Sequence, residues 1–127
     1  MRRGLQVVVG LFGVVAVVSG LATILLGGDS VVGAPTPPPT IDSELRYYSA
    51  WYVVAGVLAL RSVPLIESET TVIRILFGGL LLGGCARLLS LAAVGRPHSF
   101  FLILLGLELL TPVVVIPWQA ALARRAR

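Results

Sequence analysis

Apolar residues run through this chain in four long stretches, each closed by a polar or proline-rich turn. The first, Leu5 to Leu26, is 22 residues without a charge. As a helix it measures roughly 33 Å, enough for a hydrocarbon core of about 30 Å. Arg2-Arg3 ahead of it and Val32-Gly33-Ala34 behind it resemble a signal peptide with a cleavage site. A signal core spans only about 7–15 residues, and Pro35 would follow the cut directly, so we read the segment as a retained anchor.

The stretch 28–41 reads as an outer loop, because Pro37-Pro38-Pro39 favours an extended spacer over a helix. Asp42 or Ser43 is placed to cap the next helix, with Glu44 in its first turn. Its apolar part, Tyr47 to Leu60, is short. Arg46 and Arg61 extend it to spanning length if their heads reach the interface while their stems stay in the apolar zone. Pro64 closes it, and Ser68 is the candidate cap for a third segment, Val72 to Val94. Gly95-Arg96-Pro97-His98-Ser99 is a reversing turn. The fourth segment, Phe100 to Trp118, contains Glu108, Pro112 and Pro117, and a basic tail follows.

This pattern predicts an all-α fold: a four-transmembrane-helix antiparallel bundle forming a single membrane domain over 1–127. The helices are expected at about 5–27, 43–63, 70–94 and 100–118. Composition agrees. The chain is 57% hydrophobic and 13% charged, with a mean hydropathy of +0.97, against about 25% charged residues in soluble domains. That excludes a soluble enzyme, a disordered tail and a disulfide-stapled secreted module.

All ten basic residues are arginine. With the Ala, Gly, Val and Leu bias, this points to a GC-rich genome of actinobacterial type. The net charge of +4 would point to nucleic acid in a soluble protein, but the arginines mostly flank apolar segments, so no nucleic acid is expected. Arg2, Arg3, Arg61, Arg74, Arg124, Arg125 and Arg127 fall on the side of the termini; Arg46, Arg96 and Arg87 fall toward the other. The positive-inside rule then makes both termini cytoplasmic, in a multi-pass protein of the bacterial cytoplasmic (inner) membrane. Cys85 stands alone, which excludes an internal disulfide, a CxxC redox pair and a cysteine zinc site.

Two charges interrupt apolar runs, Arg87 and Glu108. A charge at mid-bilayer costs roughly 2.5–3.5 kcal/mol even on the lenient insertion scale. Counted from the shared turn, both lie about 8–12 Å below the same boundary on antiparallel neighbours, so they are expected to pair. Arg46 and Glu44 enter from the same side and are placed to extend the pair into a buried polar network. Such a network fixes helix register, or it responds to a proton or ligand.

Small residues form two stripes: Gly79, Gly83, Ala86 and Ser90 on helix three, and Gly13, Ala16 and Gly20 on helix one. Stripes of this kind let helices approach closely in lipid, here within the chain or on a partner. Tyr47, Tyr48, Trp51 and Tyr52 at one end of helix two, and Trp118 on helix four, read as interfacial aromatics. His98, Ser99, Asp29 and Asp42 share the outer side without a nucleophile elbow or oxyanion loop. No spacing suits a metal, and no P-loop or dinucleotide fingerprint is present. No enzyme activity, catalytic residue, metal or cofactor is therefore expected.

Asp42-Ser43-Glu44-Leu45-Arg46-Tyr47-Tyr48, Ala86-Arg87-Leu88-Leu89-Ser90, Gly95-Arg96-Pro97-His98 and Leu107-Glu108-Leu109 together resemble the DUF4345 family of small bacterial four-helix membrane proteins. The resemblance covers about 42–118. It implies the fold, marks Glu44, Arg46, Arg87 and Glu108 as the family-like polar positions, and implies no activity.

The function this reading favours is a non-catalytic integral-membrane accessory subunit. It would pack on a larger membrane complex, among transporter or permease subunits, and stabilise or regulate it. For an actinobacterial composition, an MCE-type lipid transporter is the first host to test. The alternative is a small oligomeric proton-coupled transporter using Glu108. Small multidrug exporters, however, carry their key glutamate in the first helix, which is uncharged here.

Overall fold

A computed structural model describes residues 1–127 as four helices with no strand. They are α1 (Arg2–Leu26), α2 (Pro39–Ser62), α3 (Thr70–Ala93) and α4 (Ser99–Arg125), with one 3-10 turn, Gly27–Ser30, after α1. Three apolar helical stretches are long enough to cross a membrane: Arg2–Ser30, Thr70–Ala93 and Ser99–Arg125.

The helix ends differ from expectation where backbone chemistry overrides side-chain capping. α2 starts at Pro39, with Pro38 as its N-cap, rather than at Asp42 or Ser43. Proline is well placed in a first turn, because its φ is already helical and the N–H it lacks has no intrahelical partner there. Asp42 therefore lies inside the first turn. Ser68 does not cap α3; Glu69 is its N-cap without a side-chain bond, and Ser68 Oγ donates to the Leu65 carbonyl at 3.0 Å. His98 caps α4, its Nδ1 accepting the Phe100 amide at 3.1 Å. α4 also continues past Trp118 to Arg125, through Pro112 and Pro117. Each proline leaves one carbonyl without its helical donor, that of Glu108 for Pro112 and that of Val113 for Pro117.

The chain divides into two compact units, Gln6–Pro64 and a second formed by Met1–Leu5 with Leu65–Arg127. In the first, α1 and α2 run antiparallel and approach through glycine. A Cβ at Gly13 would lie 3.0 Å from the Gly56 carbonyl oxygen, and one at Gly20 would lie 2.8 Å from that of Ser49. Gln6 Nε2 ties the other end by donating to the Val63 carbonyl at 2.9 Å.

In the second unit, α3 and α4 form an antiparallel hairpin. Gly84 admits Leu109, whose Cδ2 would stand 2.9 Å from an added Cβ. Near the termini of this hairpin, Gln119 is fully buried. Its Nε2 donates to the Ile66 carbonyl and to Thr70 Oγ1, both at 3.0 Å.

Candidate functional site

Arg87 sits in the last third of α3, three residues after Gly84, and Glu108 sits in the first half of α4. Gly84 sets the local separation, since a Cβ there would also come within 3.4 Å of Glu108 Cβ. At that distance Arg87 Nε donates to Glu108 Oε2 at 2.7 Å. The side chains are 33% and 15% exposed, respectively. The guanidinium carbon lies 5.4 Å from the centre of the Phe101 ring, and Phe101 meets Phe100 edge-on at 5.3 Å. A charge-assisted bond of this length, over an aromatic face, offsets much of the desolvation that either charge alone would suffer.

Of the four charges grouped by the sequence, only Arg87 and Glu108 are joined to one another. Arg46 Nε donates to Asp42 Oδ2 at 2.7 Å, and its Nη1 donates to the Ile24 carbonyl, also at 2.7 Å. Glu44 is engaged with Tyr48, one turn along. The reason is local. Starting α2 at Pro39 puts Asp42 one turn below Arg46, an i,i+4 pair that forms within the helix.

Asp42 also accepts the Gly28 amide at 2.8 Å through Oδ1. Gly27, at φ +66°, makes the bend that presents this amide. A Cβ on Gly27 would collide with Asp42 and Arg46. Asp42, Arg46 and the α1 end thus form a clasp that fastens the start of α2.

The Gly28 amide first, and then the Arg46 guanidinium, hold the Asp42 carboxyl below the ordinary aspartate range. A depressed folded-state pKa stabilises above the unfolded value, and that contribution is lost as pH falls through the folded one. The clasp is therefore expected to be intact at pH 5 and to open as pH falls below about 4, the ordinary aspartate value. Opening will be read as faster amide exchange at Gly28, after correction for the intrinsic pH dependence. Asp42→Asn should abolish the transition, and a wild-type profile without it would remove the carboxylate from this role.

The two small-residue stripes have different fates. Gly13 and Gly20 lie against α2, and Ala16 is buried between them in sequence. Gly79 and Gly83 have open space where a side chain would be, and Ala86 and Ser90 are exposed. The glycine that α3 presents to α4 is Gly84, about 100° further around the helix than Gly83.

Tyr47, Tyr48, Trp51 and Tyr52 are exposed. Trp118 is half-buried. Its ring lies against Gly4, where an added Cβ would be 3.0 Å away. Trp118 Nε1 and Gln119 Oε1 are both buried without a hydrogen-bond partner in the protein.

Gly56, Gly84 and Gln119 are the positions that sequence reasoning missed. A lone glycine in an apolar run carries no period, and Gln119 reads as the first residue of a polar tail. Its only warning was a polar residue at helical spacing after Val115 and Pro112.

No three His, Cys, Asp or Glu side chains gather as metal ligands would. Neither the curated proteins nor the solved structures contain a match to the chain. One family model, described as a domain of unknown function (DUF4345), matches residues 4–119 and so includes α1, which the motif resemblance left out. With nearly the whole chain matched and the family-like Arg87 and Glu108 in contact, the protein belongs to the DUF4345 family.

Proposed function

We propose that this protein is a non-catalytic integral-membrane accessory subunit of the bacterial cytoplasmic membrane, docking on a larger membrane complex through the small-residue face of α3. The observation that carries this reading is the open space at Gly79 and Gly83 on a helix apolar enough to span. In lipid, where no hydrophobic drive brings helices together, close approach over small residues supplies the association. The equivalent glycines of α1 are already used by α2.

In this proposal α2 also crosses the bilayer, with Arg46 and Arg61 reaching its interfaces, and both termini lie in the cytoplasm by the arginine distribution. The partners are transporter or permease subunits, and an MCE-type lipid transporter is the first host to test.

The test is affinity purification of the tagged full-length chain from native membranes in mild detergent, with mass spectrometry of what accompanies it. A specific membrane complex should co-purify with the wild type. Gly79→Leu/Gly83→Leu should reduce its recovery about tenfold, the loss of roughly 1.4 kcal/mol of association, with unchanged melting of the isolated protein. Recovery of the wild-type protein alone, at monomer size, would overturn the proposal. A proton-coupled transporter acting through Glu108 draws less support, because that carboxylate already accepts from Arg87. On the transporter reading Glu108→Gln abolishes transport and leaves assembly intact; on the subunit reading it weakens the fold or the complex.

A further inference from the structure

Beside the Arg87–Glu108 pair lies a partly open cavity of about 80 Å³, lined among others by Arg87, Ser90, Pro97, Phe101 and Leu105. We propose that this cavity binds the phosphate group of an anionic membrane lipid, held by the terminal amino groups of Arg87.

Arg87 spends only its Nε on Glu108, and neither terminal nitrogen donates to any protein group. Those nitrogens carry four N–H donors in a planar fork suited to phosphate oxygens. Glu108 on one side and the Phe101 ring beneath fix the fork's position, so little side-chain freedom remains to be lost on binding. Ser90 adds a hydroxyl at the cavity wall, without a hydrogen bond to the protein.

Depth and charge favour a lipid. Leu105 lies six residues, about 9 Å, into α4, whereas Pro97 belongs to the turn. The cavity thus lines the segment between the apolar part of the hairpin and its polar end, where a lipid changes from chain to headgroup. Exposed Leu89, Val94 and Ile103 flank this end and offer surface to acyl chains. From Thr70 onward the chain has six arginines and Glu108 as its one acidic residue. Four of these, Arg74, Arg124, Arg125 and Arg127, lie toward the opposite end of the hairpin; at the cavity end the internal pair cancels, and Arg96, next in sequence to the cavity-lining Pro97, remains as a cation. The volume exceeds what one water needs and suits a single phosphate rather than a whole sugar headgroup.

The inference does not depend on docking to a partner. It is tested on the full-length protein in detergent by native mass spectrometry, with phosphatidylglycerol and a phosphate-free glucosyl diacylglycerol supplied in equal amounts. Wild type should retain phosphatidylglycerol about tenfold over the glucosyl diacylglycerol, the scale of one charge-assisted contact. Ser90→Leu fills the cavity from an exposed position and should remove that preference without changing the melting temperature. Arg87→Lys keeps the charge opposite Glu108 but loses the fork, and should reduce the preference several-fold. Equal retention of the two lipids, or a preference unaltered in both variants, overturns the proposal. Displacement of phosphatidylglycerol by millimolar inorganic phosphate would overturn the lipid source and assign the site to free phosphate.

Discussion

Arg87→Leu is expected to destabilise the α3–α4 hairpin by about 3 kcal/mol, and adding Glu108→Leu to recover most of that loss. The single change leaves the Glu108 carboxylate, 15% exposed, without its partner beside apolar side chains. Removing one member of a buried pair costs about 3–5 kcal/mol because the other is left uncompensated, whereas replacing both with apolar groups is often neutral. Partial exposure of Arg87 places the expectation at the lower end of that range. Unfolding of each variant in mixed detergent micelles, followed by helical circular dichroism, gives the four corners of a double-mutant cycle. A single variant as stable as wild type would mean that the 2.7 Å contact contributes nothing to the fold. A double variant no better than the single would mean that the pair acts through something other than mutual neutralisation.

The second large effect falls on the other hairpin. A Cβ at Gly56 would stand 2.7 Å from the Gly13 carbonyl oxygen and 2.9 Å from the Val17 amide nitrogen, backbone atoms that no rotamer change can move. Gly56→Leu must therefore separate α1 from α2, with an expected cost of about 3 kcal/mol, at the upper end of overpacking effects. Gly56→Ala should show a smaller part of the same loss. Gly79→Leu is the internal control: nothing lies within 4 Å of a Cβ there, so the isolated protein should melt as wild type. The same unfolding assay decides. Equal stability of Gly56→Leu and Gly79→Leu would refute the close approach at Gly56.

Much of the architecture was legible because lipid imposes a coarse constraint on sequence. Every backbone amide must be satisfied within its own segment, so apolar runs near 20 residues become helices and the breaks between them become turns. The turn at Gly95 shows this, with φ +122° where the sequence places its glycine and proline. Helix ends were less legible. The triple proline reads as a helix breaker, yet its last member initiates α2 at the one position where a missing N–H is harmless. In the same way, α4 continues through two prolines and a polar glutamine, because Gln119 finds Ile66 and Thr70 as partners that no local pattern announces.

The sequence by itself determined four helical segments, their breaks, and the contact between Arg87 and Glu108. A short turn makes α3 and α4 antiparallel neighbours, and the helical rise then places the two charges at similar depth. Tertiary structure alone decided that Arg46 turns to Asp42 and the α1 end, that Gly84 and Gly56 are the points of close approach, and that Gly79 and Gly83 are left open. Those choices depend on how each helix is rotated about its own axis. That rotation is set by the sum of many small packing contacts, and a stripe of glycines is compatible with facing a neighbour or facing away.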